Sequence, residues 1–185
     1  MERLNTVNPE AASGKTQELY KGIKGKLGMV PNMMQTMGNS SAVLEGYLNL
    51  SGALGKGTLG AKLGEMIALA VAQTNACDYC LSAHSLIGEK MAGIKPDVLT
   101  DARIGVNNDP KIQAALQFAL TLVDKRGQVN DEDVNLVLDA GYTQGEVGEI
   151  VAHVALNVFT NYFNNTANTS IDFPEVKASE LEAMV

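Results

Sequence analysis

The sequence predicts an all-α chain, and three observations carry that prediction. Apolar residues recur at spacings of three and four, alternating strand-like runs are scarce, and the polar breaks carry helix-start chemistry. Those starts are Asp109-Pro110, Asn130-Asp131, and Thr143 followed by Glu146, the last forming a capping box.

In chain order, Pro9 suits the first turn of a helix that ends around Gly28. The loop Gly28-Met29-Val30-Pro31-Asn32 breaks it, and a short helix through Met33 and Met34 follows, then a longer one over 41–54. Gly55-Lys56-Gly57 marks a turn, after which Thr58 is placed to cap a helix running to Ala72. Thr74-Asn75 interrupts, and either residue can cap the next helix, 77–91, with Gly93 ending it at C′. Pro96 opens a short helix over 96–104, and further helices are expected over 109–126, 131–139 and 143–164. Residues 166–185 read as a C-terminal arm with no clear period apart from 178–184. Its Ile171-Asp172-Phe173-Pro174 stretch is apolar for a terminus and suits docking on a neighbouring subunit or on its own domain alike.

A chain of 185 residues is long enough for one domain, 1–185, with a substantial core. The longest apolar run, 66–72, is far short of the about 20 residues that span a membrane. The N-terminal MERLNTVNPE has no apolar signal region, so no membrane association and a cytoplasmic location are expected. Net charge is −7 and no basic cluster exceeds Lys125-Arg126, which argues against nucleic-acid binding. A disulfide between the two cysteines would close a tiny loop and constrain the unfolded chain by only about 2 kcal/mol. Reactivity or metal binding is the better reading of the pair.

A weak internal repeat accompanies this pattern. Gly64-Glu65-Met66-Ile67-Ala68 recurs as Gly148-Glu149-Ile150-Val151-Ala152, a shift of 84 residues. Under that shift Cys77, Cys80 and His84 fall on Asn161, Asn164 and Asn168. The pattern suggests a duplicated helical unit with one chemically live copy.

The live copy is the segment 65–84, EMIALAVAQTNACDYCLSAH, which holds both cysteines and one of the two histidines. Thiolate is the reactive form of cysteine, and an isolated thiol has a pKa near 8.5. Cys77 in the first turn of a helix meets unpaired N–H groups that favour negative charge. His84, four residues after Cys80, lies on the same face and can take its proton, and the spacing sets Cys77, Cys80 and His84 along one stripe. Glu65 belongs to the preceding helix and must reach the site by packing, where it can orient His84. These parts suit a cycle in which one thiolate attacks a peroxide O–O bond and the resulting sulfenic acid condenses with the other cysteine. Closeness to His84 favours Cys80 as the attacking residue, whereas the helix terminus favours Cys77.

Plainer readings stand beside these. Cys77, Cys80 and His84 with His153 or Glu65 would be a zinc set, though three ligands on one stripe fit a tetrahedron poorly. His153, embedded in apolar sequence, reads as a hydrogen-bonded core histidine. Met29, Met33, Met34 and Met37 read as core filler more than as a pocket lining. Tyr79 either shields the thiols or simply packs.

The pattern Glu65, Cys77-x-x-Cys80, His84 resembles the core motif of the alkylhydroperoxidase AhpD-like family, within the carboxymuconolactone decarboxylase superfamily. The Gly28-x-Val30-Pro31-Asn32 loop and the run from His153 to Asn164 look like the peroxidase-related members, so the likeness spans 28–174. The resemblance implies an all-α AhpD-like helical fold with paired half-units and a thiol peroxidase with catalytic Glu65, Cys77, Cys80 and His84. It implies no cofactor, a hydroperoxide substrate, a lipoyl or thioredoxin-like dithiol reductant, and a homotrimer or homohexamer. Relatives place a further histidine before the second cysteine, where this chain has Tyr79. Alternatives are a carboxymuconolactone decarboxylase-like lactone enzyme and a non-enzymatic redox-sensing or zinc-binding module.

Overall fold

The computed structural model describes residues 1–182, and over that span every regular element is a helix. Its elements are α1 (Gly14–Leu27), α2 (Asn32–Met37), α3 (Ser41–Leu54), α4 (Gly60–Thr74) and α5 (Asp78–Lys90). They continue as α6 (Pro96–Arg103), α7 (Pro110–Asp124), α8 (Asp131–Asp139), α9 (Gln144–Ala167) and α10 (Ser179–Glu182). No strand occurs among the described residues.

The core is built around α4. Its residues 66–72 are all apolar and all buried, and a helix apolar on every face has to be enclosed by other elements. Four helices enclose it: α5, α6, α7 and α9. Burial of a side chain such as Ile67 or Leu69, both without solvent exposure, contributes roughly 1.5–3 kcal/mol each. From α7 come Ala115, Leu116, Phe118 and Ala119, and from α9 Ile150 and Val154.

Most helix positions follow the periodicity and capping signals. Helices α3 and α8 span the expected residues, and the capping boxes at Asn130/Asp133 and Thr143/Glu146 both form. Pro9, however, does not start α1. Asn8 accepts hydrogen bonds from Glu10 N on its side chain and Ala11 N on its carbonyl, so a turn competes with the helix there. The helix begins only at Gly14, and Gly28 closes it in the left-handed region at φ 77°. Gly93, also left-handed at φ 63°, stands two residues beyond the C-cap Met91 rather than one. The short terminal helix is α10, and the remainder of the expected 178–184 helix lies outside the described residues.

The C-terminal arm docks on its own chain, across the start of α5. Ala178 N donates to Asp78 Oδ1 at 2.8 Å and Val176 N to Ser82 Oγ at 2.9 Å. Buried Arg103 donates to Lys177 O and to Gln73 Oε1, while Gln73 Nε2 donates to Ala178 O. Further back, Asp172 Oδ2 and the Tyr79 hydroxyl accept from Asn32 N and Met33 N. Asp172 of the arm and Tyr79 of α5 thus satisfy free donors of α2, whose N-cap is Pro31 and offers none.

Thr58 does not cap α4. The N-cap position is Leu59, without a side-chain bond, and Glu149 reaches across from α9 to accept from Thr58 N, Leu59 N and Thr58 Oγ1. Those bonds, the Thr58 backbone donor foremost, hold the Glu149 carboxyl below its ordinary value of 4.5. A carboxylate so depressed contributes stability that is complete above 4.5 and is lost as the pH falls through its folded value. Glu149→Ala is therefore expected to lower unfolding stability at neutral pH by about 1 kcal/mol, the usual worth of a helix cap. Urea titrations of both proteins should show that gap closing in acid; a pH-independent gap would contradict the charged cap.

Candidate active site

The geometry begins in the short link between α4 and α5. Ala76 adopts φ 48°, a left-handed conformation that costs a residue with a Cβ roughly 1–2 kcal/mol. The link is held on several sides. Cys77 N donates to Ala72 O at 2.9 Å, Asn75 Nδ2 to Asn161 Oδ1 at 3.0 Å, and Asn165 Nδ2 to Asn75 O at 2.8 Å. Neither Thr74 nor Asn75 caps α5. Cys77 itself is the N-cap, with φ −98° and ψ 90°, and its sulfur accepts from Cys80 N at 3.3 Å.

Cys77 and Cys80 are joined as a disulfide. The two sulfurs have different surroundings. Cys77 has no solvent exposure, whereas Cys80, itself only 3% exposed, forms part of the wall of a cavity of about 490 Å³. The expected single stripe is thus broken. Cys80 and His84 face the cavity from α5, while the non-helical backbone of the N-cap leaves Cys77 behind them.

Glu65 reaches the same cavity from α4, as its spacing requires. Its Oε2 lies 2.8 Å from His84 Nδ1, with the two side chains 19% and 24% exposed. An ionised carboxylate only accepts, so it keeps the proton on Nδ1 and leaves Nε2 as the exchanging nitrogen. The four residues singled out in the sequence therefore come together, three on the cavity wall and Cys77 through the disulfide.

Other walls differ from expectation. Met29 from the loop before α2, and Met33 and Met34 from α2 itself, line the cavity, and only Met37 is pure core. His153 is half-buried on the cavity wall instead of in the core, and no hydrogen bond to its ring occurs among the described residues. Its ring lies over Gly64, where a Cβ would come within 3.1 Å of Cε1. Burial pushes His153 below its ordinary value, opposed by Glu149 and Glu65. Tyr79 packs edge-on against Phe173 of the arm at 5.6 Å, and burial drives its hydroxyl well above the usual phenol range.

Tyr47, Asn157, Thr160 and Asn164 also line the cavity, and composition and spacing gave no reason to select them. For Asn164 one signal existed. The repeat sets Asn164 opposite Cys80, and Asn164 Nδ2 donates to Cys80 Sγ at 3.4 Å. Among the described residues no group of three or more His, Cys, Asp and Glu side chains is gathered as a metal cage.

Residues 41–121 match the model of the carboxymuconolactone decarboxylase family, a stretch that includes Glu65, both cysteines and His84. No curated protein matches the chain in sequence. Among solved structures, the chain is similar to an alkylhydroperoxidase AhpD core, peroxidase-related protein from Ralstonia eutropha JMP134. Identity there is 24%, with 92% of each chain covered and a TM-score of 0.83. A peroxidase-related protein from Silicibacter sp. TM1040 is similar at 21% identity over 92% of this chain and 94% of the other, TM-score 0.78. So is a cysteine-to-alanine variant of the debrominase Bmp8 in complex with 2,3,4-tribromopyrrole, at 21% identity over 93% of each chain, TM-score 0.76. The stretch that carries both cysteines is thus similar to the carboxymuconolactone decarboxylase family, and the helical fold of nearly the whole chain is AhpD-like.

Proposed function

We propose that this protein is a thiol peroxidase that reduces hydroperoxides through a Cys77/Cys80 dithiol–disulfide cycle. The observation that supports it most is the pairing of a one-sided disulfide with a carboxylate–imidazole couple on a single cavity. In the reduced protein, His84 Nε2 takes the Cys80 proton while Glu65 stabilises the imidazolium on Nδ1. The Cys80 thiolate attacks the terminal oxygen of the hydroperoxide, the O–O bond breaks, and the departing alkoxide takes a proton from His84. Cys80 now carries a sulfenic acid. Cys77, held one helical turn away behind it, displaces hydroxide from that sulfur, which leaves as water once protonated, and the disulfide forms.

Recycling needs an external dithiol, for which a lipoyl or thioredoxin-like carrier is the proposed class. Since Cys80 borders the cavity and Cys77 is fully enclosed, the incoming thiolate attacks Cys80. A homo-oligomer, trimer or hexamer, belongs to the same proposal; exposed Val151, Phe159 and Tyr162 on α9 offer apolar surface for it.

A second reading has one observation in its favour. The cavity wall is mostly apolar, and a similar structure holds a halogenated pyrrole. The same dithiol can reduce an aryl bromide by two electrons, giving the arene, bromide, a proton and the disulfide. Bromide release from 2,3,4-tribromopyrrole in the presence of a dithiol, with no thiol loss to hydroperoxides, would favour that chemistry.

In single-turnover assays with cumene hydroperoxide, wild-type protein is expected to lose both thiols. Cys80→Ser should be inert, and Cys77→Ser should stop at a sulfenic acid that dimedone traps. The adduct in Cys80→Ser instead would reverse the two roles. Glu65→Gln and His84→Ala should each slow peroxide reduction by about 10²–10⁴, the range for lost acid–base assistance. The methionine-lined walls lead to a further expectation, that kcat/KM for cumene hydroperoxide exceeds that for hydrogen peroxide by at least about tenfold. Equal values would mean that the apolar cavity does not select the substrate.

A further inference from the structure

Asn164 stands apart from the groups that the proposed cycle employs. It projects from the last turn of α9, is 3% exposed, and borders the cavity beside Cys80. Its Nδ2 donates to Cys80 Sγ at 3.4 Å, while its Oδ1 is buried with no hydrogen-bond partner among the described residues. A buried amide oxygen without a donor is costly and calls for an explanation. The chemistry of the cycle supplies one. A disulfide sulfur is a weak acceptor and carries no proton, so in this state the amide has a poor partner on one side and none on the other. A thiolate is a far stronger acceptor for Nδ2, and a sulfenic acid brings an O–H that Oδ1 can receive.

Resting on the peroxidase reading for its second half, we infer that Asn164 is a further catalytic residue, its Nδ2–H holding the Cys80 thiolate and its Oδ1 receiving the Cys80 sulfenic O–H. The step balances: Cys80-S⁻ and RO–OH give Cys80-S–OH and RO⁻, the sulfur being oxidised and the O–O bond reduced. The hydroperoxide's own O–H proton stays on the sulfenic oxygen, where the amide accepts it. Condensation with Cys77 then removes that oxygen as water and returns the amide to the state seen here. The internal repeat acquires a physical meaning in the process. The residue of the silent copy that corresponds to Cys80 is the one that touches Cys80.

The test uses the full chain in a Cys77→Ser background, where Cys80 is the lone thiol, with Asn164→Ala and the isosteric Asn164→Asp. Far-UV circular dichroism and thermal melts establish that each variant is folded. Six titratable groups face this cavity: Tyr47 on α3, Glu65 on α4, Tyr79, His84 and Lys90 on α5, and His153 on α9. All are retained, so a change in the pH profile reports Asn164. Iodoacetamide alkylation near pH 7 is expected to slow by roughly tenfold in Asn164→Ala, the low end for losing a hydrogen bond to a charged group. It should slow further in Asn164→Asp, whose carboxylate repels the thiolate although its shape is unchanged, and both profiles should move to higher pH. After one equivalent of cumene hydroperoxide has formed the sulfenic acid, a second equivalent should oxidise it to the sulfinic acid faster in both variants.

Superimposable alkylation profiles and equal sulfenic lifetimes in folded variants would overturn the inference. A profile that depends on Asn164 with no sulfenic acid in the parent protein would instead sink the peroxidase reading. In that case the thiolate half of the inference stands and its sulfenic half falls.

Discussion

A helix that is apolar on every face cannot rest on a surface, and the enclosure of α4 sets the place of every group around the cavity. Because 66–72 are buried on all sides, α5, α6, α7 and α9 have to surround them. Glu65 lies just before that run, at the point where α4 emerges from its wrapping into the cavity. The carboxylate is thus carried by the most deeply enclosed helix of the fold, and His84 is oriented against it. Position here is a by-product of core packing, which fixes geometry far more closely than a loop can.

The second constraint is the sharp link after α4. A left-handed alanine is tolerated because backbone and asparagine side-chain bonds determine the link from several directions. One consequence is the inequality of the two cysteines. A helix start with Cys77 inside the first turn would place both sulfurs on one stripe, open to the same side. With Cys77 at the N-cap, its sulfur is directed inward and only Cys80 meets the cavity. The docked arm reinforces this, since it occupies Asp78 and Ser82 at the start of α5.

The weak repeat also looks different in three dimensions. Its two copies diverge in form: α4 and α5 are separate helices, whereas the matching stretch of α9 runs on unbroken as one helix of 24 residues. They nevertheless pack together, and they exchange functions across the contact. Glu149, the counterpart of Glu65, caps the start of α4. Asn164, the counterpart of Cys80, bonds to the Cys80 sulfur. Under the proposed peroxidase cycle, one copy carries the reacting groups and the other supplies fixed hydrogen bonds.

Local information in the sequence determined the all-helical class, the α3 and α8 boundaries, both capping boxes and the placing of Cys80 and His84 on one face of α5. Those features depend on periodicity, on side-chain-to-backbone bonds three residues apart, and on residue chemistry at short spacing, all of which are written along the chain. Tertiary structure alone decided which cysteine faces the cavity, that three methionines and His153 line it, that the arm folds back on its own chain, and that Glu149 rather than Thr58 serves α4. Each of these depends on which surface of one element meets another, over separations as long as the 140 residues between Asn32 and Asp172. Spacing limits which residues share a helix face; only packing chooses what that face will meet.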